Sequence, residues 1–449
     1  ARRMGTVARE TFSSRFGIAM TMIGVALGLG NVWRFPYLVG RYGGAAFVLA
    51  YVLIVLLIAV PALMGEWALG RHAKRGTVGA FAAAGVPGGA ALGWFLFVVV
   101  VAATAYYTNV VGWVLYFAVG EVATAAGLPW QSTAVLPPES GFDVGSLIRQ
   151  AICTGVVVLT CAVVLQLGLR AGIERVSRII IPTLLVVLLV LIARSLTLDG
   201  AGAGVRWYIG HFAWSDLTPT VIVAALGHAI FSLSLGGTFM VTYGSYLADG
   251  EDLGTNAALT AGGDTISGLL AGLVIFPAVF AFGLEPASGP ALLFDTIPGV
   301  FERMPLGWIF SMLFFAGLFG AGYLSDVAAF EVLIAGLTDN TRLSRARAVW
   351  LMAGLVYVIA LLPMVSMRIF TRWDLTFGSG MQTFGALCAA LAAGWAMRRG
   401  ALLAQLGGEA TRGWRRLVPF WLRYVVPGAI LAVGVWWLLT DVLRMIGSV

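Results

Sequence analysis

The sequence predicts an all-α polytopic membrane protein with about eleven transmembrane helices. Of its 449 residues, 60% are hydrophobic and only 11% are charged, and the mean hydropathy is +0.93. Uncharged apolar runs recur from one end of the chain to the other, which soluble domains do not show. Two of these runs contain glycine, serine or asparagine in their middle. We therefore expect two of the helices to stop and restart within the bilayer.

The predicted spans each have close to the roughly 20 residues that a bilayer core requires. They cover residues 16–42, 46–71, 92–121, 147–168, 176–198, 218–248, 257–284, 306–337, 346–367, 376–398 and 419–443. No stretch between them is long and polar enough for a soluble domain. We therefore treat residues 1–449 as a single transmembrane domain.

The net charge of +7 is explained better by membrane topology than by nucleic-acid binding. Basic residues collect in the cytoplasmic loops of membrane proteins. The clusters in this chain fall in alternate loops, and their members are Arg2, Arg3, Arg9 and Arg15, then Arg71, Lys74 and Arg75, then Arg170, Arg175 and Arg178, then Arg342, Arg345 and Arg347, and finally Arg398, Arg399, Arg412, Arg415 and Arg416. This pattern predicts a multi-pass protein of the cell (inner) membrane with a cytoplasmic amino terminus and no nucleic-acid partner.

The first span contains the stretch Gly24–Pro36, with three glycines, an asparagine and an arginine. Gly28 and Gly30 disfavour a continuous helix because glycine loses the most backbone freedom on ordering. Backbone groups released by a break cannot face lipid, so they must face protein, water or a ligand. Free carbonyls attract a cation, and the amino end of the second half-helix attracts an anion.

The sixth span contains a second candidate break, Phe231–Thr238, with two serines and two glycines. Small residues in a membrane helix can also serve close helix packing alone, so this segment by itself leaves that alternative open. Interrupted helices five spans apart are, however, typical of transporters built from two five-helix repeats. Repeat one would cover about 10–198, repeat two about 218–398, and an extra helix about 419–443.

Five motifs, in order along the chain, resemble the neurotransmitter:sodium symporter family. They are Gly28-Leu29-Gly30-Asn31 with Arg34-Phe35-Pro36, Gly65-Glu66-Trp67-Ala68-Leu69-Gly70-Arg71, Ala105-Tyr106-Tyr107, Ser232-Leu233-Ser234-Leu235-Gly236, and Thr242-Tyr243-Gly244-Ser245-Tyr246. The bacterial members of this family are amino-acid transporters. The resemblance implies the LeuT-type fold, a 5+5 inverted repeat with discontinuous helices 1 and 6.

The resemblance implies a substrate site between the two breaks. Its residues would be Ala26, Gly28, Leu29, Gly30, Ala103, Tyr107, Phe231, Ser232, Ser234, Gly237, Ser325 and Ala329. Monoamine carriers have an aspartate where this chain has Gly28, so an amino acid with its own carboxylate is expected instead. Gly237, Ala103 and Ala329 replace bulkier residues of a leucine-binding relative. Each missing methylene leaves space worth about 0.8 kcal/mol when filled. We expect a large hydrophobic substrate, tryptophan-like first, unless neighbouring side chains fill the gap.

The first sodium site implied by the resemblance has hard oxygen ligands, as such cations require. Its ligands would be the Ala26 carbonyl, Asn31, Ser232 and Asp264, with the substrate carboxylate. A carboxylate in mid-membrane is a functional candidate by default. Chloride-dependent relatives have a serine and a glutamine where this chain has Gly268 and His228. We therefore expect the Asp264 charge to make chloride unnecessary.

The second sodium site implied by the resemblance departs from the family pattern. Its candidates are Gly24, Leu27, Ala321, Ser325 and Asp326. Leu324 stands where relatives have threonine or aspartate, and its side chain supplies no oxygen. Asp326 lies two residues on, in a helix that turns about 100° per residue. The site could therefore be lost, weakened or rebuilt around Asp326, and the number of coupled sodium ions, one or two, stays open.

The gates implied by the resemblance are charged pairs. Arg34 and Asp374 would close the outer side through a charge-assisted bond. The inner gate would combine Arg9, Asp339 and Tyr246, and Glu66 would brace the broken helices. For the arginines, snorkelling to the membrane interface is the simpler alternative.

The sequence therefore predicts a sodium-coupled amino-acid symporter that works by alternating access. Two rival functions stay open: a carrier of another small zwitterion or osmolyte, and a non-transporting amino-acid sensor with the same fold. An enzyme is not expected, because the chain has no HExxH or GxSxG motif and no paired catalytic carboxylates. One sequence says nothing of the oligomeric state.

Overall fold

A computed structural model describes residues 10–139, 141–210, 212–284, 297–407 and 416–439 of the chain. Within these ranges the regular structure is helical. Its main helices, which we number in chain order, are α1 (Arg15–Ala26), α2 (Gly30–Tyr42), α3 (Ala45–Ala73), α4 (Thr77–Ala83), α5 (Gly89–Ala125), α6 (Val144–Gln166), α7 (Leu169–Leu196), α8 (Pro219–Ser232), α9 (Phe239–Gly244), α10 (Leu253–Ala281), α11 (Gly307–Asn340), α12 (Arg345–Ala360), α13 (Met367–Ala396) and α14 (Val418–Trp436). Shorter helices lie at Ala201–Val205, Ile297–Glu302 and Arg399–Gln405.

Eight helices of the described part are long and apolar enough to cross a bilayer, and the bent pair α1 and α2 makes a ninth span. The other two of the eleven predicted spans fall on shorter helices. Predicted span 218–248 is divided between α8 and α9, and predicted span 346–367 falls on the 16-residue α12. The end of the predicted extra helix lies outside the described residues. The all-helical, multi-pass architecture is confirmed, and the count of eleven is approximate.

The first predicted break is present, and its cause is local. The Ser14 hydroxyl caps α1 by accepting from the Gly17 amide at 3.0 Å. The helix ends at Ala26, because Leu27 adopts an extended backbone conformation. The chain restarts at Gly30 with a turn of π-helix, and α2 is bent by 56° from α1.

The second predicted break is also present. Helix α8 begins with Pro219 after Thr218, whose side chain accepts from the Val221 amide. It ends at Ser232, and α9 begins only at Phe239. A left-handed backbone ends regular helix, because a side chain at positive φ crowds the following carbonyl. Three residues between the two helices have that conformation: Ser234 (φ +52°), Gly236 (φ +81°) and Thr238 (φ +56°).

The broken helices lie at the centre of the molecule. Helix α1 packs along α7 and α10, and α8 and α9 pack against α3. Helices α5 and α11 pack along each other beside the first break. In the most apolar 18-residue window of α5, 61% of the residues are buried, against 28% for α7. Thus α5 belongs to the protein interior, whereas α7 presents most of its apolar surface outward, as a helix facing lipid does.

Candidate functional site

Hydroxyl groups from neighbouring helices bind the backbone of the first break. The Ser234 hydroxyl donates to the Val25 carbonyl at 2.9 Å, and the Ser325 hydroxyl donates to the Leu27 carbonyl at 3.1 Å. The Leu29 amide donates to the Tyr107 hydroxyl at 3.2 Å. The second break, α11 and α5 therefore each supply one hydroxyl, as backbone freed within a membrane requires.

Asp264 is the centre of a buried polar cluster below the first break. Its side chain is fully buried. The Asn31 amide group donates to one carboxylate oxygen at 2.7 Å, and the Ser232 and Tyr51 hydroxyls donate to the other at 2.7 and 3.2 Å. The Asn31 oxygen accepts from the Gly28 amide at 3.1 Å. Three of the predicted first-site residues, Asn31, Ser232 and Asp264, are thus in direct contact, and the buried carboxyl group lies among hydrogen-bond donors.

Aromatic rings pack beside Tyr51, whose hydroxyl contacts Asp264. The His228 ring lies 5.1 Å from the Tyr51 ring and 5.6 Å from the Phe35 ring, measured between centroids. His228 is buried, and neither of its ring nitrogens has a hydrogen-bond partner among the described residues. A Cβ added at Gly268 would have only ordinary contacts, at 3.5 Å from Phe35. In the described part of the chain, Asp264 is the acidic side chain in contact with Tyr51 and Ser232.

The residues predicted for the second sodium site are only partly brought together. A methyl carbon of Leu324 lies 3.1 Å from the position that a Cβ on Gly24 would occupy, so a leucine side chain fills the space beside that residue. The Ser325 hydroxyl already binds the Leu27 carbonyl. Asp326 is directed elsewhere: one of its carboxylate oxygens accepts from the Thr108 hydroxyl of α5 at 2.9 Å. This follows from the turn of about 100° per residue in the helix.

A cavity of about 80 Å³ lies between the two breaks, α5, α11 and α13. The predicted residues that line it are Ala26, Gly28, Gly30, Asn31, Ala103, Tyr107, Phe231, Ser232, Ser234, Ser325 and Ala329. Phe231 covers one end, since a Cβ added at Gly30 would lie 2.8 Å from its ring. The wall combines apolar side chains with a few hydroxyls, which is the usual character of a small-molecule site.

Two residues predicted for the substrate site do not line this cavity. The Leu29 side chain is directed at Gly322 of α11, and only its amide faces Tyr107. The space beside Gly237 is filled by the ring of Phe239. The prediction that Gly237 enlarges the cavity is therefore wrong, because a neighbouring side chain supplies the missing volume.

Five residues that line the cavity were not predicted. They are Thr104, Tyr106, Phe239, Gly378 and Gln382. Tyr106 stands inside the Ala105-Tyr106-Tyr107 motif, which was a signal for it. Gly378 and Gln382 belong to α13, where no motif pointed to the site.

The outer charged pair predicted from sequence is not joined in this structure. Among the described residues, Arg34 stacks on the Phe231 ring, with its guanidinium carbon 4.6 Å from the ring centroid, and forms no ion pair with Asp374. Asp374 lies beside the Tyr106 hydroxyl, near Gly378. Arginine stacked on an aromatic face is a stable arrangement in its own right. The outer gate therefore stays a prediction.

Among the described residues, the inner side contains a charged cluster that includes Tyr246, one of the three residues predicted for the inner gate. The Tyr246 hydroxyl donates to Glu331 at 2.5 Å, and Arg345 pairs with the same carboxylate at 2.6 Å. The phenyl ring of Phe12 contacts Tyr246 edge to face. Asp339 accepts from the Gly76 amide at 2.7 Å, and Arg9 lies outside the described residues. Sequence reasoning missed Glu331 and Arg345, which have no shared motif.

Two further contacts join α3, or the residue just after it, to the segments on either side of α9. The Lys74 ammonium lies 2.5 Å from the Asp249 carboxylate in the loop after α9. Its hydrogen bond holds the pKa of that carboxyl below its ordinary value. Within the protein, one oxygen of the buried Glu66 carboxyl accepts from the Gly236 amide at 2.7 Å, inside the second break.

Two helices broken at mid-membrane, a small cavity between them and a buried carboxylate beside it define a class of membrane carrier. The model of the sodium:neurotransmitter symporter family matches residues 9–144 and 133–397 of this chain. The chain therefore belongs to that family of sodium-dependent transporters, as the motifs predicted. Its fold and its relatives are those of transporters and not of enzymes.

Individual relatives agree with this assignment. An uncharacterised sodium-dependent transporter of Bacillus subtilis, YhdH, is 33% identical over 94% of this chain and 96% of its own length. The sodium- and chloride-dependent creatine transporter 1 of Oryctolagus cuniculus is 27% identical over 83% of this chain and 68% of its own. The crystal structure of MhsT in complex with L-phenylalanine superimposes with a TM-score of 0.81 at 31% identity, covering 95% of this chain and 99% of that one.

Proposed function

We propose that this protein is a sodium-coupled symporter of a hydrophobic, aromatic amino acid, tryptophan-like in size, and that it works by alternating access. Ion and substrate bind between the breaks, and the outer side closes over them. The broken helices, with α3 and α10, then tilt against the other helices. Sodium favours one orientation only by as much as its affinity differs between the two.

The observation that carries this proposal is the environment of Gly28. A Cβ at this position would lie 2.7 Å from the Ser325 hydroxyl and 2.9 Å from the Tyr107 hydroxyl. The cavity therefore presents two hydroxyl groups and no acidic side chain at this point. The Tyr107 hydroxyl accepts from the Leu29 amide, so its own proton is available to a substrate carboxylate, whereas an amine without a carboxylate finds no counter-charge here.

Two further observations support a large apolar side chain on the substrate. Ala103 and Ala329, two of the three positions with small side chains, both line the cavity, which supports room for a large substrate side chain. MhsT, which shares the fold over nearly its whole length, was crystallised with L-phenylalanine. Gly237 contributes nothing to this argument, because Phe239 fills its space.

We assign the sodium ion to the cluster of Asn31, Ser232 and Asp264, with the Ala26 carbonyl beside it. The buried Asp264 carboxylate supplies the negative charge that offsets a cation in mid-membrane. The same charge, in contact with Tyr51 and Ser232, replaces chloride in this proposal. The amino terminus would face the cytoplasm, in keeping with the loop charges.

The testing experiment is equilibrium binding of radiolabelled L-tryptophan to the purified protein, titrated with sodium at constant ionic strength against potassium. Unlabelled leucine is the competitor. We expect sodium-dependent binding in which tryptophan outcompetes leucine. Binding that ignores sodium would refute the symporter, whereas tight leucine binding without tryptophan binding would refute only the choice of substrate.

A second measurement separates transport from sensing. Proteoliposomes preloaded with unlabelled substrate should accumulate labelled substrate when a sodium gradient is applied. Binding without any uptake would instead identify an amino-acid sensor. A competition panel that includes creatine and other zwitterions covers the remaining rival, because relatives at 27% identity are named creatine transporters.

A further inference from the structure

The wall of the cavity beside the second break is formed in an unusual way. Gly237 has no side chain, and a Cβ added there would lie 2.5 Å from the Cδ2 atom of Phe239 and closer still to its Cε2 atom. The Phe239 ring therefore covers the Gly237 backbone directly. Phe239 lines the cavity and Gly237 does not. The side-chain volume that Gly237 lacks is thus supplied by Phe239, which lies two residues further along the chain.

The backbone that carries this ring is fixed at several points. The Gly236 amide donates to Glu66, the Ser234 hydroxyl donates to the Val25 carbonyl, and the Thr238 hydroxyl lies 2.8 Å from that of Thr77 on α4. A Cβ at Gly236 would overlap the Gln382 carbonyl, so α13 packs directly on this turn. Side chains at positive φ persist only where surrounding contacts hold them.

The ring itself is less constrained than its backbone. Phe239 is half-buried, whereas the following residue, Met240, is fully buried. The close neighbour on one side is a glycine, which leaves the ring no side chain to interlock with. The cavity wall also includes the small side chains of Ala103 and Ala329.

We propose that Phe239 is the specificity-determining residue of this carrier and sets the upper size of the substrate side chain. This inference rests on the proposed function. The ring stands where it limits the cavity, and the flexible aromatic side chain can change rotamer without moving the fixed turn. A leucine-sized substrate needs no such movement, and an indole does.

The test compares substrate selectivity rather than activity alone. Inhibition constants of leucine, phenylalanine and tryptophan are measured in sodium with two tracers, labelled leucine and labelled tryptophan. For Phe239→Ala we expect the ratio of the leucine to the tryptophan constant to rise about tenfold, since one or two methylenes in an apolar pocket have effects of this size. Phe239→Leu should fall between Phe239→Ala and the parent protein.

A double-mutant cycle tests whether Gly237 and Phe239 act together on substrate selectivity. In Gly237→Ala the new methyl group collides with the Phe239 ring, so tryptophan binding should weaken more than leucine binding. In the double variant Gly237→Ala/Phe239→Ala the same methyl group should have almost no effect on selectivity. Phe384→Ala, which removes an exposed ring of α13, is the matched control and should leave the ratio unchanged.

The outcomes separate the two proposals. If Phe239→Ala and Phe239→Leu change all three constants by one common factor, the ring is only structural and the inference fails while the symporter proposal stands. If the parent protein binds none of the amino acids, the proposed function fails and this inference fails with it. Thermal unfolding of each purified variant distinguishes a changed cavity from a damaged fold.

Discussion

The two regions where the family resemblance places sodium differ sharply in their chemistry. Around Asp264, a buried carboxylate contacts an amide and two hydroxyls within 3.2 Å. Around Ser325, a leucine methyl group fills the space beside Gly24, and the nearest acid, Asp326, faces Thr108 instead. One region surrounds a carboxyl group with an amide and two hydroxyls, whereas in the other the Ser325 hydroxyl is already bound to a carbonyl. The difference predicts that sodium coupling depends mainly on the first region.

The largest expected effect is that of removing the charge from the first region. For Asp264→Asn we expect the half-saturating sodium concentration for tryptophan binding to rise at least about 100-fold, because loss of one buried charged partner costs about 3–5 kcal/mol. Sodium titration of tracer binding measures this change.

Asp326→Asn is the matched control, since it makes the same substitution in the second region. We expect it to change the half-saturating sodium concentration by no more than about threefold, because the asparagine oxygen can still accept the hydrogen bond from the Thr108 hydroxyl. An equal loss in both variants would show that the two regions contribute alike and would contradict the comparison.

The next effect concerns the hydroxyl that joins α11 to the first break. For Ser325→Ala we expect substrate binding to weaken about tenfold, because an unpaired buried carbonyl at Leu27 costs about 1–3 kcal/mol. Ser267→Ala is the control, since among the described residues that hydroxyl donates only to the Gly263 carbonyl of its own helix. Unchanged binding by Ser325→Ala would mean that water or the helix itself satisfies Leu27.

A smaller effect is expected from restoring an oxygen to the second region. For Leu324→Thr we predict that the slope of the sodium titration rises from about one towards two. Substrate affinity should change about threefold. The slope is a lower bound on the number of sodium ions bound. Leu324→Val has nearly the same shape without the hydroxyl. If the threonine and valine variants bind sodium alike, the leucine is not what separates the two regions.

The smallest effect is expected from chloride. Replacing chloride by gluconate should change tryptophan binding by the parent protein less than about twofold, because the charge of Asp264 already occupies the place of an anion. In Asp264→Asn/Gly268→Ser, chloride should restore part of the lost binding. A sharp loss in the parent protein on chloride removal would overturn the assignment of that role to Asp264.

Both breaks could be predicted from the sequence, because glycine and serine in the middle of an apolar span weaken a continuous helix. Helix geometry also predicted that the Asp326 side chain would face away from the other residues of the second sodium region. The partner of Tyr246 could not be predicted, since Glu331 is 85 residues away and shares no motif with it. The direction of the Phe239 ring depends on three left-handed residues before it, which propensity does not encode. The sequence pattern therefore does not predict the direction of a side chain that follows an irregular turn.

The leucine beside Gly24 has a consequence for the energetics of the cell. A carrier that moves one sodium ion with each zwitterion draws on one electrochemical gradient. A roughly tenfold sodium gradient supplies about 1.4 kcal/mol, and a potential of about 100 mV supplies about 2.3 kcal/mol. Together they sustain roughly 500-fold accumulation of the substrate, whereas a second ion would square that factor. With Leu324 in place, the carrier would reach a lower accumulation ratio but would move fewer sodium ions per substrate molecule. This suits uptake from surroundings where the amino acid is not scarce.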